Sequence, residues 1–333
     1  YFCILMAQKD NGGVVEEEIE KGLVARYETE TYCYYTTKSC DSAVHVTVRS
    51  ATSTIGCNLT SEHRDRTGVM IWPATHYFCQ WLTDIRPFST LEIGSDLAIL
   101  ELGCGCGLVG LVTSLISSGS PTEDCNRLWV STDVDPKALE LTRENFEINK
   151  ISMDNVWIRK LSWGDREDIK NLQTELKTLI NRDRFDIIVA ADIVYPSTAN
   201  QVLTLLFQTI DMCLSPDGTF YLSFCTRDGY RTPQRLIAAA SSAGYTISVV
   251  DYKLDNEVKN KLPPLLDAKL LVLRQGDSTL NKSLGGLNCQ VFPGLQASIQ
   301  RASEEVKNEV WEPPAFVDGD DEEEFERLAS LEK

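Results

Sequence analysis

Residues 100–110 have the sequence LELGCGCGLVG and continue the apolar run that begins at residue 97. Four glycines in so short a stretch predict a loop between a strand and a helix, where backbone N–H groups and the helix dipole can receive a ligand. Residues 105–110 match the pattern GxGxxG, but that pattern also recurs by chance in tight turns. The two cysteines leave metal binding or redox chemistry open at this point.

Two acidic residues near the loop narrow the choice of ligand. Glu101 lies in an otherwise apolar strand end, where a carboxylate is costly unless it has a partner or a ligand. Asp133 ends the next predicted strand, where an acceptor can bind both hydroxyls of a ribose. A pyrophosphate needs no carboxylate beside its loop, whereas a zwitterionic or cationic ligand does. The two acids therefore favour a ligand of the second kind.

From about residue 98, short β-rich runs alternate with amphipathic helical stretches, which is the pattern of a parallel α/β sheet. The last two strands are joined by a polar connection with no room for a clear helix, so we expect an antiparallel hairpin at the sheet edge. Upstream, a β-hairpin is predicted within residues 27–60, and a helix begins near Pro73. The predicted strands are 97–102, 128–133, 156–161, 185–191, 219–224, 246–252 and 269–274, and the helices that alternate with them are 108–118, 136–149, 167–180, 198–214 and 232–243.

The sequence ELGCGCG that begins at Glu101 resembles the first motif of seven-strand S-adenosylmethionine-dependent methyltransferases, in which an acid precedes a GxGxG loop. The resemblance implies a Rossmann-like α/β fold with strand order 3-2-1-4-5-7-6 and an antiparallel strand 7. It implies S-adenosyl-L-methionine as cofactor, with its methionine part at Glu101, Gly103, Cys104 and Gly105 and its ribose at Asp133. The cysteines then need no metal, because they are simply small side chains between glycines.

Three further segments, MIWPATHYFCQWL, LSWGD and AADIVY, together resemble the protein lysine methyltransferases within that fold, the methyltransferase-like group that modifies chaperones and translation factors. The resemblance implies that Trp72, Trp163 and Ala191 line the cofactor site. The group's DxxY signature is met by Asp192 and Tyr195, which we expect to be catalytic. Ordinary core packing of the two tryptophans remains an alternative interpretation.

Methyl transfer to nitrogen requires the nucleophile, the methyl group and the sulfur to be held in line. A lysine amine, with a pKa of about 10.4, must first lose its proton. Asp192 is expected to orient the amine, and Tyr195 to wall the lysine channel with a ring that favours a cation. The alternative is that Asp192 satisfies backbone donors in its loop and Tyr195 packs against the sheet.

The likeness covers about residues 65–275, which we expect to form the methyltransferase domain. Residues 1–64 are predicted to be a β-rich N-terminal extension, and residues 276–333 a poorly ordered C-terminal extension. The acidic stretch DGDDEEEFE at residues 318–326 should be solvated rather than packed.

Composition limits the partners. The net charge of −17 disfavours nucleic acid and would attract a basic protein substrate, with solubility alone as the alternative reason for the charge. Eleven cysteines without a CxxC pair, together with the dispersed His45, His63 and His76, predict no metal site. No apolar stretch is long enough for a bilayer, so we expect no membrane association. The expected protein is a cytoplasmic monomer, with the nucleus as a second compartment.

Other functions remain to be weighed. The sequence DIVY lacks the prolines of the enzymes that methylate base amino groups, and residues 186–200 contain no glutamate pair to grip a guanidinium, which disfavours arginine methylation. Methylation of a protein histidine or of a small molecule is harder to exclude. From other classes, an NAD-binding oxidoreductase is disfavoured because Glu101 has no role in it, and a non-catalytic binding module because the motif residues are intact.

Overall fold

The structure, a computed structural model, describes residues 15–19, 23–36, 39–51, 68–88, 97–117, 127–228, 231–263, 265, 267–275 and 289–290. The acidic stretch 318–326 lies outside the described residues, as does all of the predicted C-terminal extension except residues 289–290. Within the described residues, no helix is long and apolar enough to cross a membrane.

The described strands form two sheets. Three strands pair antiparallel in the order β1-β2-β3, and eight pair in the order β11-β9-β10-β8-β7-β4-β5-β6. The strands are β1 (Val15–Ile19), β2 (Leu23–Thr36), β3 (Ser39–Ala51), β4 (Leu97–Leu102), β5 (Arg127–Asp133), β6 (Val156–Lys160), β7 (Phe185–Ala191), β8 (Leu214–Cys225), β9 (Tyr245–Val250), β10 (Ala268–Gln275) and β11 (Cys289–Gln290). The helices are α1 (Pro73–Ile85), α2 (Leu108–Ser117), α3 (Pro136–Ile148), α4 (Arg166–Ile180), α5 (Asn200–Cys213), α6 (Arg231–Ser242) and α7 (Asn256–Lys261).

The seven predicted core strands are β4 to β10 in chain order. Counted as strands 1 to 7, they lie in the order 3-2-1-4-5-7-6. Strand β10 runs antiparallel to both β8 and β9, whereas β4, β5, β6, β7 and β8 pair parallel. The predicted fold is therefore confirmed, and so is the N-terminal hairpin, to which β1 adds a third strand.

Two details differ from the prediction, and a third adds a strand that the sequence did not indicate. Strand β8 begins at Leu214 because Leu214 pairs with Phe185, and the residues before Thr219 form an irregularity within the strand. The polar connection before β10 contains the short helix α7, whose first turn is capped by the Asp255 side chain. Strand β11, inside the region predicted to be poorly ordered, pairs with β9 at the sheet edge.

The large sheet is covered on both faces. Residues of β4 alternate between two hydrophobic clusters: Ile99 belongs to the cluster that includes α1, α2 and α3, and Leu100 to the one that includes α4, α5 and α6. Strands buried on both faces are typical of parallel sheets. The first cluster also contains Tyr34, Val46 and Val48 from the N-terminal sheet, all fully buried. That sheet therefore shares a core with the large sheet.

The strand order reverses at β4, which has β5 on one side and β7 on the other. Ligands of open α/β sheets bind outside the carboxyl ends of the strands at such a switch point. The carboxyl end of β4 leads directly into the glycine loop, so the fold places that loop where a ligand site is expected.

Candidate active site

A cavity of about 770 Å³ lies at the carboxyl ends of β4, β5 and β7. Its walls are the glycine loop, the residues from Gly68 that precede α1, the loop after β6 and the segment after β7. Every residue predicted for the site lines it, namely Trp72, Glu101, Gly103, Cys104, Gly105, Asp133, Trp163, Ala191, Asp192 and Tyr195. The structure thus brings these residues together, while the role of each remains a prediction.

Backbone conformation and close packing require glycine at Gly103 and Gly105 of the glycine loop. Gly103 has φ +64°, and a Cβ atom there would lie 2.7 Å from Cγ2 of Ile193 in the segment after β7. Gly105 has φ +56°, and a Cβ atom there would lie 2.8 Å from the carbonyl oxygen of Gly68. Both backbone conformations are left-handed, and both approaches are too close for a side chain. The loop therefore packs directly against two other walls of the cavity.

Asp133 fixes the loop from the neighbouring strand. Its Oδ2 accepts a hydrogen bond from the Gly105 N–H at 3.0 Å, and its Oδ1 accepts one from the Asp135 N–H at 3.0 Å. Burial raises the pKa of this carboxyl, although the backbone hydrogen bonds oppose the shift. Each oxygen has a further lone pair for a ligand, so the same side chain can hold the loop and bind hydroxyl groups.

Glu101 is a buried carboxyl, with 2% of its surface exposed. Its Oε2 accepts hydrogen bonds from Ser131 Oγ at 2.8 Å and from Trp129 Nε1 at 3.2 Å. Burial raises its pKa to about 8, although both hydrogen bonds act in the opposite direction. In the described part of the chain no lysine or arginine pairs with it. Its Oε1 is thus left for a donor that enters the cavity.

The two cysteines of the loop are buried, and burial raises the pKa of both thiols. Sγ of Cys104 lies 3.5 Å from Thr142 Oγ1, and the Cys104 N–H donates to the Thr132 carbonyl at 2.8 Å. Protonated, enclosed thiols are poor nucleophiles. No group of three or more histidine, cysteine or acidic side chains suited to a metal occurs among the described residues.

The segment after β7 forms the wall next to the glycine loop. Asp192 is buried and has φ +58°, and its carboxylate pairs with Arg227. Tyr195 is 37% exposed, and its backbone N–H donates to Thr198 Oγ1 at 3.0 Å. A ring at the cavity surface is available to a molecule that arrives from solvent. The Asp192 carboxylate, by contrast, is already engaged.

Sequence reasoning missed the residues that hold these groups. Ser131 lies directly opposite Glu101 in the pairing of β5 with β4, so its side chain shares a face with the acid. Its position two residues before Asp133 was an available signal, because strands alternate with period two. Arg227 follows the end of β8, the strand next to β7. The predicted strand order already implied that the loops after these two strands meet.

The fold and this cavity define a protein of the Rossmann-like, seven-strand methyltransferase class. A family model described as lysine methyltransferase matches residues 53–238, more than half of the chain. The chain belongs to that family.

Relatives among characterised proteins carry the same description. Protein-lysine N-methyltransferase EFM6 of Saccharomyces cerevisiae is 30% identical over 154 residues, which are 45% of this chain and 60% of the relative. Protein N-terminal and lysine N-methyltransferase efm7 of Emericella nidulans is 24% identical over 199 residues, 57% of this chain and 71% of the relative. EEF1A lysine methyltransferase 3 of Xenopus tropicalis is 25% identical over 163 residues, 49% of this chain and 59% of the relative.

S-adenosyl-L-methionine is the cofactor that this family implies, and the residues present fit it. The free Oε1 of Glu101 suits an ammonium group, and the Asp133 oxygens suit ribose hydroxyls. The cavity volume falls within the range of about 300–1,000 Å³ that is usual for sites of such molecules. A phosphate-bearing dinucleotide would instead place its negative charge beside two carboxyl groups.

Proposed function

We propose that this protein transfers a methyl group from S-adenosyl-L-methionine to a lysine side chain of another protein. The observation that carries the proposal is the buried Glu101 carboxyl beside the glycine loop, which has no lysine or arginine partner among the described residues and lines a cavity whose adjoining wall is the DxxY segment. Family membership supports the reaction class.

In this proposal the cofactor supplies an electrophilic methyl group on a sulfonium sulfur. Glu101 binds the amino group of its methionine part, and the backbone at Gly103, Cys104 and Gly105 holds the rest of that part. Asp133 binds the ribose hydroxyls. The side chains of Trp72 and Trp163, together with Ala191, exclude water from the remaining surface, since all three line the cavity.

The protein's contribution to the chemistry is positioning and desolvation. The target amine must be neutral to attack, and enclosure in a site of low polarity lowers the pKa of an amine. Tyr195, exposed at the cavity, is the side chain that we propose to contact the amine, with its ring as a wall of the channel. Asp192 would contact it directly only after a movement, because its side chain has no exposed surface.

A basic protein, and specifically a translation factor or a chaperone, is the substrate that we propose. The Xenopus relative is named for EEF1A, and the net charge of −17 would attract a lysine-rich partner. We also propose that the enzyme acts in the cytoplasm, with the nucleus as a second compartment, as a monomer whose substrates include neither nucleic acid nor membranes.

The test is transfer of an isotope-labelled methyl group from S-adenosyl-L-methionine into a fractionated cell lysate, with the modified residue identified by mass spectrometry. We expect label on lysine with the wild-type protein. Glu101→Gln should abolish it, whereas Glu147→Gln, which changes an exposed glutamate of α3, should not. Label on arginine, histidine or RNA would refute the substrate class, and equal labelling by Glu101→Gln would refute the proposed cofactor site.

A further inference from the structure

Asp192 connects three elements at the end of the sheet. Its backbone N–H donates to the Ser223 carbonyl of β8 at 2.7 Å. Its Oδ2 accepts a hydrogen bond from the Ala74 N–H, at 3.3 Å, in the first turn of α1. The residue before α1, Trp72, supplies no side-chain cap to that helix. Asp192 thus acts as a cap from a distant part of the chain.

The guanidinium of Arg227 makes two hydrogen bonds to the Asp192 carboxylate. Its Nη1 donates to Oδ1 of Asp192 at 2.8 Å and its Nη2 to Oδ2 at 2.6 Å. The Asp192 side chain is 0% exposed and that of Arg227 is 23% exposed. Two parallel hydrogen bonds between a guanidinium and a carboxylate fix both distance and orientation. Both oxygens of Asp192 are therefore occupied by groups of the protein itself.

The same guanidinium covers a residue of the cofactor wall. Cζ of Arg227 lies 5.3 Å from the centroid of the Trp72 ring, and Trp72 lines the cavity. Burial is the largest single influence on the pKa of Arg227 and lowers it, but the hydrogen bonds to Asp192 and the negative charge of Asp192, with a smaller effect of Cys225, together outweigh burial and raise that pKa. A charged guanidinium at this distance attracts the face of an indole.

Arg227 therefore touches two predicted site residues at once, one from each of two walls. We propose that Arg227 is a positioning residue for methyl transfer, which holds the Asp192 carboxylate and the Trp72 ring in one fixed arrangement at the cavity. Asp192 then acts through the placement of its segment and of α1 rather than by contact with the amine. This inference rests on the proposed methyl transfer, but its structural part can be measured without it.

A lysine cannot replace this arginine. Its ammonium is a single point of charge, so it cannot make the two parallel hydrogen bonds to Asp192 and stack on Trp72 together. Arg227→Lys thus keeps the positive charge but cannot make the paired hydrogen bonds to Asp192 and the contact with the Trp72 ring together. The chain also offers a matched control, because Arg159 makes a two-point pair with Glu175 and lies 5.6 Å from the Trp157 ring. Asp192 and Trp72, the partners of Arg227, line the cavity, whereas Glu175 and Trp157 do not.

The experiment compares Arg227→Lys with Arg159→Lys. It measures kcat with the protein substrate that the labelling experiment identifies, the Kd for S-adenosyl-L-methionine by calorimetry, and the exchange rate of the Ala74 amide hydrogen. For Arg227→Lys we expect kcat to fall about 100-fold, as small misplacements do. We also expect Kd to rise about threefold, because the ring contact is weakened, and faster exchange at Ala74. Arg159→Lys should match the wild type in all three.

Wild-type kcat and Kd in Arg227→Lys would overturn the proposal, even if that variant is less stable, because they would leave only a structural role. If Arg227→Lys does not fold, Arg227→Gln, which keeps one donor towards Asp192, serves in its place. If the wild-type protein transfers no methyl group, the proposed function fails. The positioning role of Arg227 is then tested by the cofactor Kd and the Ala74 amide exchange rate of Arg227→Lys. Wild-type values of both would overturn that role.

Discussion

The Glu101 carboxyl is buried near the end of a strand whose other side chains are apolar. In place of water it has two hydrogen-bond donors, Ser131 and Trp129. A carboxylate in that position destabilises the protein unless a positive group compensates it. The pKa of about 8 has the same cause, because burial disfavours the charged form of the carboxyl. Such a residue is expected where binding requires a charge that folding alone does not favour.

The stability of the protein should therefore depend on pH through Glu101. The pKa is about 8 in the folded state against 4.5 for an unperturbed glutamate. The folded state thus keeps a proton that the unfolded state loses, and unfolding free energy falls by about 1.4 kcal/mol per pH unit between these values. Glu101→Gln lacks this titration. In urea unfolding at several pH values, the unfolding free energy of the variant minus that of the wild type should therefore rise by this amount per pH unit. An offset that is independent of pH would contradict the assignment.

A comparison of two glycines tests the contact between the glycine loop and the DxxY segment. Gly103 and Gly244 both have left-handed backbone, but a Cβ atom at Gly244 would meet nothing within 4 Å. Gly244→Ala should cost about 1–2 kcal/mol of unfolding free energy from backbone strain alone. Gly103→Ala should cost about a further 1–3 kcal/mol, because its Cβ would overlap Ile193. Equal losses in denaturant unfolding would show that the two segments do not touch.

Among the secondary structure elements, the strands and helices of the core could be predicted because their hydrophobic periodicity is long and clear. Helix α7 could not, since its six residues span fewer than two turns. Every predicted site residue lies at the cavity, and all except Trp72, which precedes α1, lie at or just beyond the ends of strands that a parallel sheet gathers at one edge. The Arg227–Asp192 pair was missed because its members are 35 positions apart and belong to different loops.

Two asparagine side chains, one in α3 and one directly after it, hydrogen-bond to the N-terminal sheet. Asn145 accepts a hydrogen bond from the Arg49 N–H and donates to the Arg49 carbonyl, and it also donates to the Cys106 carbonyl of the glycine loop at 3.0 Å. Asn149 makes the corresponding pair of bonds to Thr47 but none to the loop. Of these two asparagines, Asn145 is therefore the one that hydrogen-bonds to both the N-terminal sheet and the glycine loop.

Alanine variants should distinguish the hydrogen bonds to the N-terminal sheet, which both asparagines make, from the hydrogen bond to the glycine loop, which Asn145 makes. Asn145→Ala and Asn149→Ala should each lower the unfolding free energy by about 2–3 kcal/mol, from hydrogen bonds worth roughly 1 kcal/mol each. Only Asn145→Ala should also weaken S-adenosyl-L-methionine binding, by several fold. Denaturant unfolding and calorimetric titration measure the two effects. Equal Kd values for the two variants would mean that the N-terminal sheet does not support the loop.

For the molecule as a whole, the N-terminal sheet and the α/β domain form a continuous body around the cavity. The glycine loop, the residues before α1, the loop after β6 and the segment after β7 form its walls. Helices α1, α2 and α3 share a hydrophobic core with β2 and β3. The sequence indicated a separate N-terminal region because residues 27–60 are rich in β-branched and aromatic residues and the family likeness begins only at about residue 65. Only the packing of Tyr34, Val46 and Val48 reveals the shared core.

The central claim is that this cavity holds S-adenosyl-L-methionine through Glu101 and Asp133. The most direct test is a crystal structure of the protein with S-adenosylhomocysteine, the product form of the cofactor. We predict its amino group about 2.7–3.2 Å from Oε1 of Glu101 and its ribose hydroxyls on the Asp133 carboxylate. A ligand bound elsewhere, or bound in the cavity with Glu101 still contacting only Ser131 and Trp129, would contradict the account.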